Sequence, residues 1–124
     1  MRFCAVVALA LLACSSRPHP LQVAPQSADG SDCQVGEISY YAASLSGNKT
    51  SSGERYDHEG LTAAHRTLPF GTKLRVTVGE RSVTLLVNDR GPFAKHRILD
   101  VSGRAARELD LLTLGHAQAR VCVE

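Results

Sequence analysis

The string Asn88-Asp89-Arg90-Gly91-Pro92 sets a carboxylate beside a turn. An acid/base catalyst needs a carboxyl group that is fixed by a rigid element and still open to substrate. The run just before it, Ser82-Val83-Thr84-Leu85-Leu86-Val87, alternates with the period of a strand and puts Val83, Leu85 and Val87 on one face. A strand that runs into Gly-Pro holds its last polar residues at a rim and not in a core. Asp89 is therefore the candidate proton donor. A plainer role stands beside it, in which Asp89 only braces the turn by accepting backbone N–H bonds. His58, His96 and His116 are scattered without metal-ligand spacing, and no Gly-rich phosphate loop occurs. No metal and no cofactor is expected.

Other elements must build the platform for Asp89. Gly36 to Ala43 reads as a first strand, with Ile38 and Tyr40 on one face. Tyr40 and Tyr41 then face opposite ways, one toward the core and the other outward, free to stack on a ligand. Ser44 to Asp57 is a long polar loop. Leu61 to His65 reads as a single helical turn capped by Thr62. Lys73 to Val78 alternates and is joined to the next strand through Gly79-Glu80-Arg81 as a hairpin. Arg97 to Val101 is a further strand. Ser102 is placed to cap a helix from Gly103 to Leu111 with Ala105, Ala106 and Leu109 inward. Asp100, just before it, reads as structural. Ala117 to Val123 alternates as a last strand, with Cys122 on its opposite face. Six short strands, one or two short helices and many turns indicate a mainly β fold, a small barrel or sandwich.

The N-terminus reads as an export signal. Arg2 precedes an apolar run of ten residues, Cys4 to Ala13. That is too short to span a bilayer, which takes about 20, and suits a signal-peptide core. Leu11-Leu12-Ala13-Cys14 is similar to a bacterial lipobox, which implies cleavage after residue 13 and lipid attachment at Cys14. The alternative is an ordinary secretory signal with an incidental cysteine. With Ser15 and Ser16 following, the pattern resembles that of lipoproteins sorted to the outer membrane, facing the periplasm. Residues 14–32 read as a flexible tether and 33–124 as one small domain. Cys33 and Cys122 remain near the ends of that domain. In an oxidising compartment they are expected to pair, the alternative being two buried thiols. The net charge of +2 is too small to imply nucleic acid. A monomer is expected.

Four blocks stand in order: TSSGERYD (50–57), LTAAHRTLPFGTKLRV (61–76), NDRGPF (88–93) and RILDVSGRAARELDL (97–111). Together they resemble the rare lipoprotein A (RlpA) family and its six-stranded double-psi β-barrel. The resemblance implies an endolytic peptidoglycan lytic transglycosylase, a lyase that cuts MurNAc–GlcNAc bonds in strands stripped of stem peptides and leaves a 1,6-anhydro end. It implies peptidoglycan glycan strands as the partner, and a part in wall remodelling and daughter-cell separation. Carried over by position, it implies Asp89 as acid/base and His65 as its partner, with Glu54 and Asp57 in support. Under this reading His65 hydrogen-bonds Asp89, and the two loop carboxylates orient the sugar or raise the pKa of Asp89. His65 also has a structural reading as a helix-end histidine, and Glu54 and Asp57 as solvated loop charges. The chain departs from the family at Ala42 to Asn48, which lacks the usual aromatic-glycine string, and in its short Gly79-Glu80-Arg81 link. No SPOR module is expected after Glu124. Two other classes stay open. One is a non-catalytic, expansin-like glycan binder, although three Tyr, three Phe and no Trp offer few platforms for it. The other is a hydrolase pairing Asp89 with Glu54 or Asp57.

Overall fold

The computed structural model describes residues 32–124. The proposed signal peptide, Cys14 and all but the last residue of the tether lie outside these residues. Six strands form the domain: β1 (Cys33–Tyr40), β2 (Thr62–Ala64), β3 (Lys73–Val78), β4 (Arg81–Asp89), β5 (Arg97–Val101) and β6 (His116–Val123). One helix, α1 (Gly103–Glu108), and one 3₁₀ turn (Ala43–Leu45) complete it. The strands close into a barrel in the order β1-β5-β2-β4-β3-β6. Closure leaves no strand edge unpaired, which removes the usual route to edge-to-edge association. The β1–β5 and β2–β4 pairs are parallel and the other four are antiparallel.

Alternation accounts for the filling of the barrel. Val83, Leu85 and Val87 of β4 are buried, as are Leu74 and Val76 of β3, and they meet Ile38, Leu99 and Val101. Each such side chain contributes roughly 1.5–3 kcal/mol by leaving water. The β3–β4 hairpin turns through Gly79 and Glu80, with Val78 opposite Arg81.

Three expectations are corrected by the structure. Leu61 to His65 is not a helical turn: Thr62–Ala64 is a strand flanked by β4 and β5. Three small residues carry no readable period, and pairing on both sides decides the outcome. The first strand begins at Cys33, because its antiparallel pairing with β6 starts from Cys33 opposite Cys122. The helix stops at Glu108 and not at Leu111, since Asp110 turns left-handed at φ 58°. Leu109 and Leu111 still reach the core, around that turn.

Ser102 caps α1. Its buried hydroxyl accepts from the Ala105 N–H at 3.3 Å and donates to the Gly60 carbonyl at 2.5 Å. Asp100 is tied to β1 through the Ser39 hydroxyl. Gly103 is required by what lies against it: an added Cβ would fall 2.1 Å from Nε2 of His58. Gly103→Ala must therefore push the His58 ring off its hydrogen bond with Tyr56. The expected cost is about 1–3 kcal/mol, read as a lower Tm. Adding His58→Ala should recover most of that loss. If Gly103→Ala melts with the parent protein, this contact does not constrain the fold.

Candidate active site

A bulge aims Asp89. In the parallel β2–β4 pair Ala63 faces Val87, while Ala64 faces Asp89, so Asn88 is the extra residue. Strict alternation would send Asp89 inward with Val83, Leu85 and Val87. The bulge breaks that period at the strand's end, as bulges beside functional groups commonly do. Asn88 is buried there, and Asp89 is left partly exposed.

The Asp89 carboxylate is held by donors from three places. The Tyr41 hydroxyl donates to Oδ2 at 2.6 Å. The Ser51 and Arg90 N–H groups donate to Oδ1 at 2.8 and 2.9 Å. Burial pushes the carboxyl pKa up, but the bonds from Tyr41, Ser51 and Arg90 outweigh it and hold it below the ordinary aspartate range. The resting carboxylate is thus ionised at neutral pH. Tyr41 is pushed the other way, by its own burial and by the Asp89 charge, so its proton stays on the phenol.

Each donor has its own support. Tyr41 extends β1 by one bond, its N–H reaching the Val101 carbonyl at 3.0 Å. Its ring packs on buried Tyr56 with centroids 4.5 Å apart. Gly103 N–H donates to the Tyr56 hydroxyl, which also shares a hydrogen bond with Nδ1 of His58, 2.8 Å away. Ser51 sits on a lobe, residues 47–56, pinned by Gly47 N–H to Tyr56, Tyr56 N–H to Asn48 and Thr50 N–H to Glu54. Ser52 N–H stitches this lobe to the Asn88 carbonyl at 3.2 Å. The polar loop read from the sequence is therefore a fixed wall of the site.

The sequence-derived candidates are not brought together as one cluster. The His65 N–H meets the Asp89 carbonyl at 3.2 Å, so their backbones are adjacent. The imidazole is engaged elsewhere, with Nδ1 accepting from the Thr67 and Leu68 N–H groups at 3.1 Å each. An acceptor Nδ1 puts the ring proton on Nε2. Burial, then the nearby Arg90 and Arg66 charges, push the His65 pKa down and keep the ring neutral. His65 lines a cleft of about 200 Å³ with Gln34, Arg66, Thr67 and Ile98. The expected His65–Asp89 side-chain bond is replaced by the Tyr41 bond. Asp57 accepts from the Glu59 N–H at 2.9 Å and braces its own turn. Glu54 is exposed, and its carbonyl accepts from the Thr50 hydroxyl. The expected rise of the Asp89 pKa is not found: it runs down, and neither carboxylate is among the main causes of its shift.

Arg90 also turns away from the carboxylate. Its guanidinium donates to the His65 and Leu68 carbonyls at 3.2 and 2.7 Å and lies 4.1 Å over the Phe70 ring. The depressed pKa of Asp89 therefore comes from hydrogen bonds and not from this cation. Tyr41 and Ser51 are the site residues that sequence reasoning missed. Tyr41 was visible only as one of two tyrosines on opposite faces, and Ser51 acts first through its backbone N–H, which leaves no mark in the sequence, and then through its hydroxyl. Among the described residues no group of His, Cys, Asp and Glu is arranged to hold a metal ion. Cys33 and Cys122 are joined, with S–S 2.13 Å, at the far ends of β1 and β6.

Residues 33–121 match the family model described as lytic transglycolase. The chain is 48% identical over 88 residues to a Campylobacter jejuni protein named endolytic peptidoglycan transglycosylase RlpA, covering 69% of this chain and 32% of that one. A Neisseria meningitidis protein of the same name is 47% identical over 90 residues, covering 71% and 38%. One from Helicobacter pylori is 40% identical over 112 residues, covering 85% and 36%. The chain thus spans about a third of the length of the curated relatives it matches. Among solved structures, a Streptomyces papain inhibitor superposes with TM-score 0.62 at 19% identity, covering 74% of this chain and 94% of that one. An apo expansin from Clavibacter michiganensis gives 0.62 at 18% identity, covering 75% and 50%. At those identities the likeness concerns the barrel alone. The family-model match over residues 33–121, the relatives at 40–48% identity and the closed six-stranded barrel agree, and the chain belongs to the RlpA-like double-psi β-barrel family.

Proposed function

We propose that this chain is a peptidoglycan lytic transglycosylase. It cuts MurNAc–GlcNAc bonds within glycan strands that lack stem peptides and leaves 1,6-anhydro-MurNAc. The observation that carries this reading is Asp89, a carboxylate set at a strand end by a bulge and fixed by three donors. The names of its relatives supply the substrate class.

The chemistry needs one acid/base. Asp89 gives a proton to the glycosidic oxygen as the C1–O bond breaks. The C6 hydroxyl of the same MurNAc then attacks C1 and returns a proton to Asp89. The attack is intramolecular, so positioning replaces a second catalytic carboxylate. Burial already pushes the Asp89 pKa up, and a sugar laid over the carboxylate deepens that push. The bound strand thereby draws the proton that the resting site lacks. Neutral His65 offers its Nε2–H to a sugar oxygen and is not part of an Asp–His proton relay. Glu54, exposed on the lobe, is placed to orient sugar hydroxyls, and Asp57 holds the turn behind it. A lipid at Cys14 anchors the domain to the outer membrane on the periplasmic side, where the strands are in reach. The domain acts as a monomer.

Product mass separates this from hydrolysis. Stripped glycan strands treated with the protein should yield anhydro ends. Reducing ends alone would assign it to the two-carboxylate hydrolases, and intact strands would make it a binder.

Tyr41→Phe tests the electrostatics. It removes one donor that lowers the Asp89 pKa while the burial that raises it remains. The carboxyl midpoint, followed by ¹³C NMR, should move up, and the acid side of the pH–rate profile should move with it. In the parent the depressed pKa contributes stability above the ordinary aspartate range, lost as pH falls through the folded value. That acid-labile part should shrink in the variant, and the fold should lose about 1 kcal/mol. An unmoved midpoint would show that the phenol does not control this carboxylate.

A further inference from the structure

Arg66, Arg90, Gly91, Pro92, Phe93 and Lys95 line a cleft of about 350 Å³. It begins one residue beyond His65 on one wall and one beyond Asp89 on the other, and consecutive Cα atoms are about 3.8 Å apart. Two of its three cations are fixed by neutral acceptors. Arg66 donates from Nε to the Pro92 carbonyl at 2.8 Å and from Nη2 to the Ala94 carbonyl at 2.5 Å. Arg90 is fixed by the His65 and Leu68 carbonyls and by Phe70. Neither they nor Lys95 joins any of the ion pairs among the described residues, which engage Arg97, Arg104, Arg107 and His116. Three uncompensated cations around one cleft make a standing demand for an anion.

The apolar part of the cleft narrows the choice. Phe93 is 89% exposed beside these cations. Gly91, at φ 125°, takes a backbone conformation that side chains disfavour, and the Phe93 ring lies over the space a Cβ would occupy, at 3.7 Å. An exposed ring next to guanidinium and ammonium groups suits a ligand with one C–H face and one carboxylate. A sugar acid has both. A bare phosphate has no use for the ring.

We infer that this cleft binds a carboxylate carried by the peptidoglycan strand while the neighbouring sugar lies at Asp89. This rests on the reading of the chain as a peptidoglycan enzyme. The carboxylate has two sources: the free lactyl group of MurNAc in stripped strands, and the stem peptides of unstripped material. Guanidinium groups held in place meet a carboxylate with little loss of their own freedom.

The test follows the amide resonances of Arg66, Phe93 and Lys95 during titration with stripped strands. Parallel arms use the same strands with their lactyl carboxyls amidated, soluble disaccharide-peptides, and inorganic phosphate. Stripped strands should shift these resonances, and Lys95→Glu should weaken the binding on the order of fivefold. Phe93→Ala should weaken stripped and amidated strands alike, whereas Lys95→Glu should affect only the carboxylate-bearing ligands. A Lys95-dependent response to disaccharide-peptides alone would assign the stem peptide as the source. Amidated strands that bind as tightly as stripped ones, an unaffected Lys95→Glu, or a response confined to phosphate would overturn the site. Cleavage is scored separately: binding without anhydro products removes the proposed activity and keeps the cleft, and cleavage without the shifts does the reverse.

Discussion

Asp89→Asn should lower the release of anhydro ends from stripped strands by about 10²–10⁴-fold, the range supplied by one positioned acid/base. Asparagine keeps the shape of the group. Its carbonyl oxygen can still accept from the Ser51 and Arg90 N–H groups, and its amide can face a Tyr41 hydroxyl that turns to accept. What it cannot do is lend and take back a proton. The bonds to charge become bonds to a neutral amide, so stability should change by no more than about 1–2 kcal/mol. Circular dichroism and Tm then separate a chemical loss from a folding loss. The size of the effect also ranks the alternatives. If Asp89 only braces the rim, the asparagine variant keeps nearly full activity, since every backbone partner is retained. In a hydrolase that pairs Asp89 with Glu54 or Asp57 the variant would lose activity as well, and the reducing ends made by the parent would separate that reading from the single-carboxylate one. A variant that folds, still binds strands and makes no anhydro ends leaves the single-carboxylate mechanism standing.

The parts of this domain that were legible in the sequence are those encoded locally. Val83, Leu85 and Val87 alternate, and they are buried on one face of β4. Ser102 stands one residue before a helix and caps it. Cys122 lies on the face of β6 opposite Ala119 and Val121, and its partner is directly across the ladder. The site was less legible because its bonds are non-local. Tyr41 reaches Asp89 across 48 residues, and no local period encodes such a contact. The bulge at Asn88 exists only relative to β2, a three-residue strand that itself has no period of its own. Sequence could name Asp89 from the turn that follows it. It could not show that a phenol and a loop amide set the charge of Asp89, or that the imidazole beside it is turned onto the Thr67 and Leu68 amides.

Opening the Cys33–Cys122 bond should cost more stability than any other single change considered. The bond closes a separation of 89 residues, nearly the whole domain. The chain-entropy treatment puts such a closure on the order of 4 kcal/mol. For a domain of this size that is a Tm drop of roughly 15–30 °C. Seven residue pairs continue the β1–β6 ladder from Cys33 opposite Cys122 to Ser39 opposite His116, so the native strands have other reasons to stay paired. The loss should then arise in the unfolded chain, which gains freedom when its ends separate. Two readouts divide the cases for the double Cys33→Ser, Cys122→Ser variant. If the unfolded state carries the effect, the denaturation midpoint falls and the m-value rises as the unfolded chain expands. If the native ladder unzips, amide exchange at Gln34, Val35 and Gly36 speeds up while the core strands stay protected. Melting within a degree or two of the oxidised parent would mean that the barrel holds its own ends together and the bond is incidental to its stability.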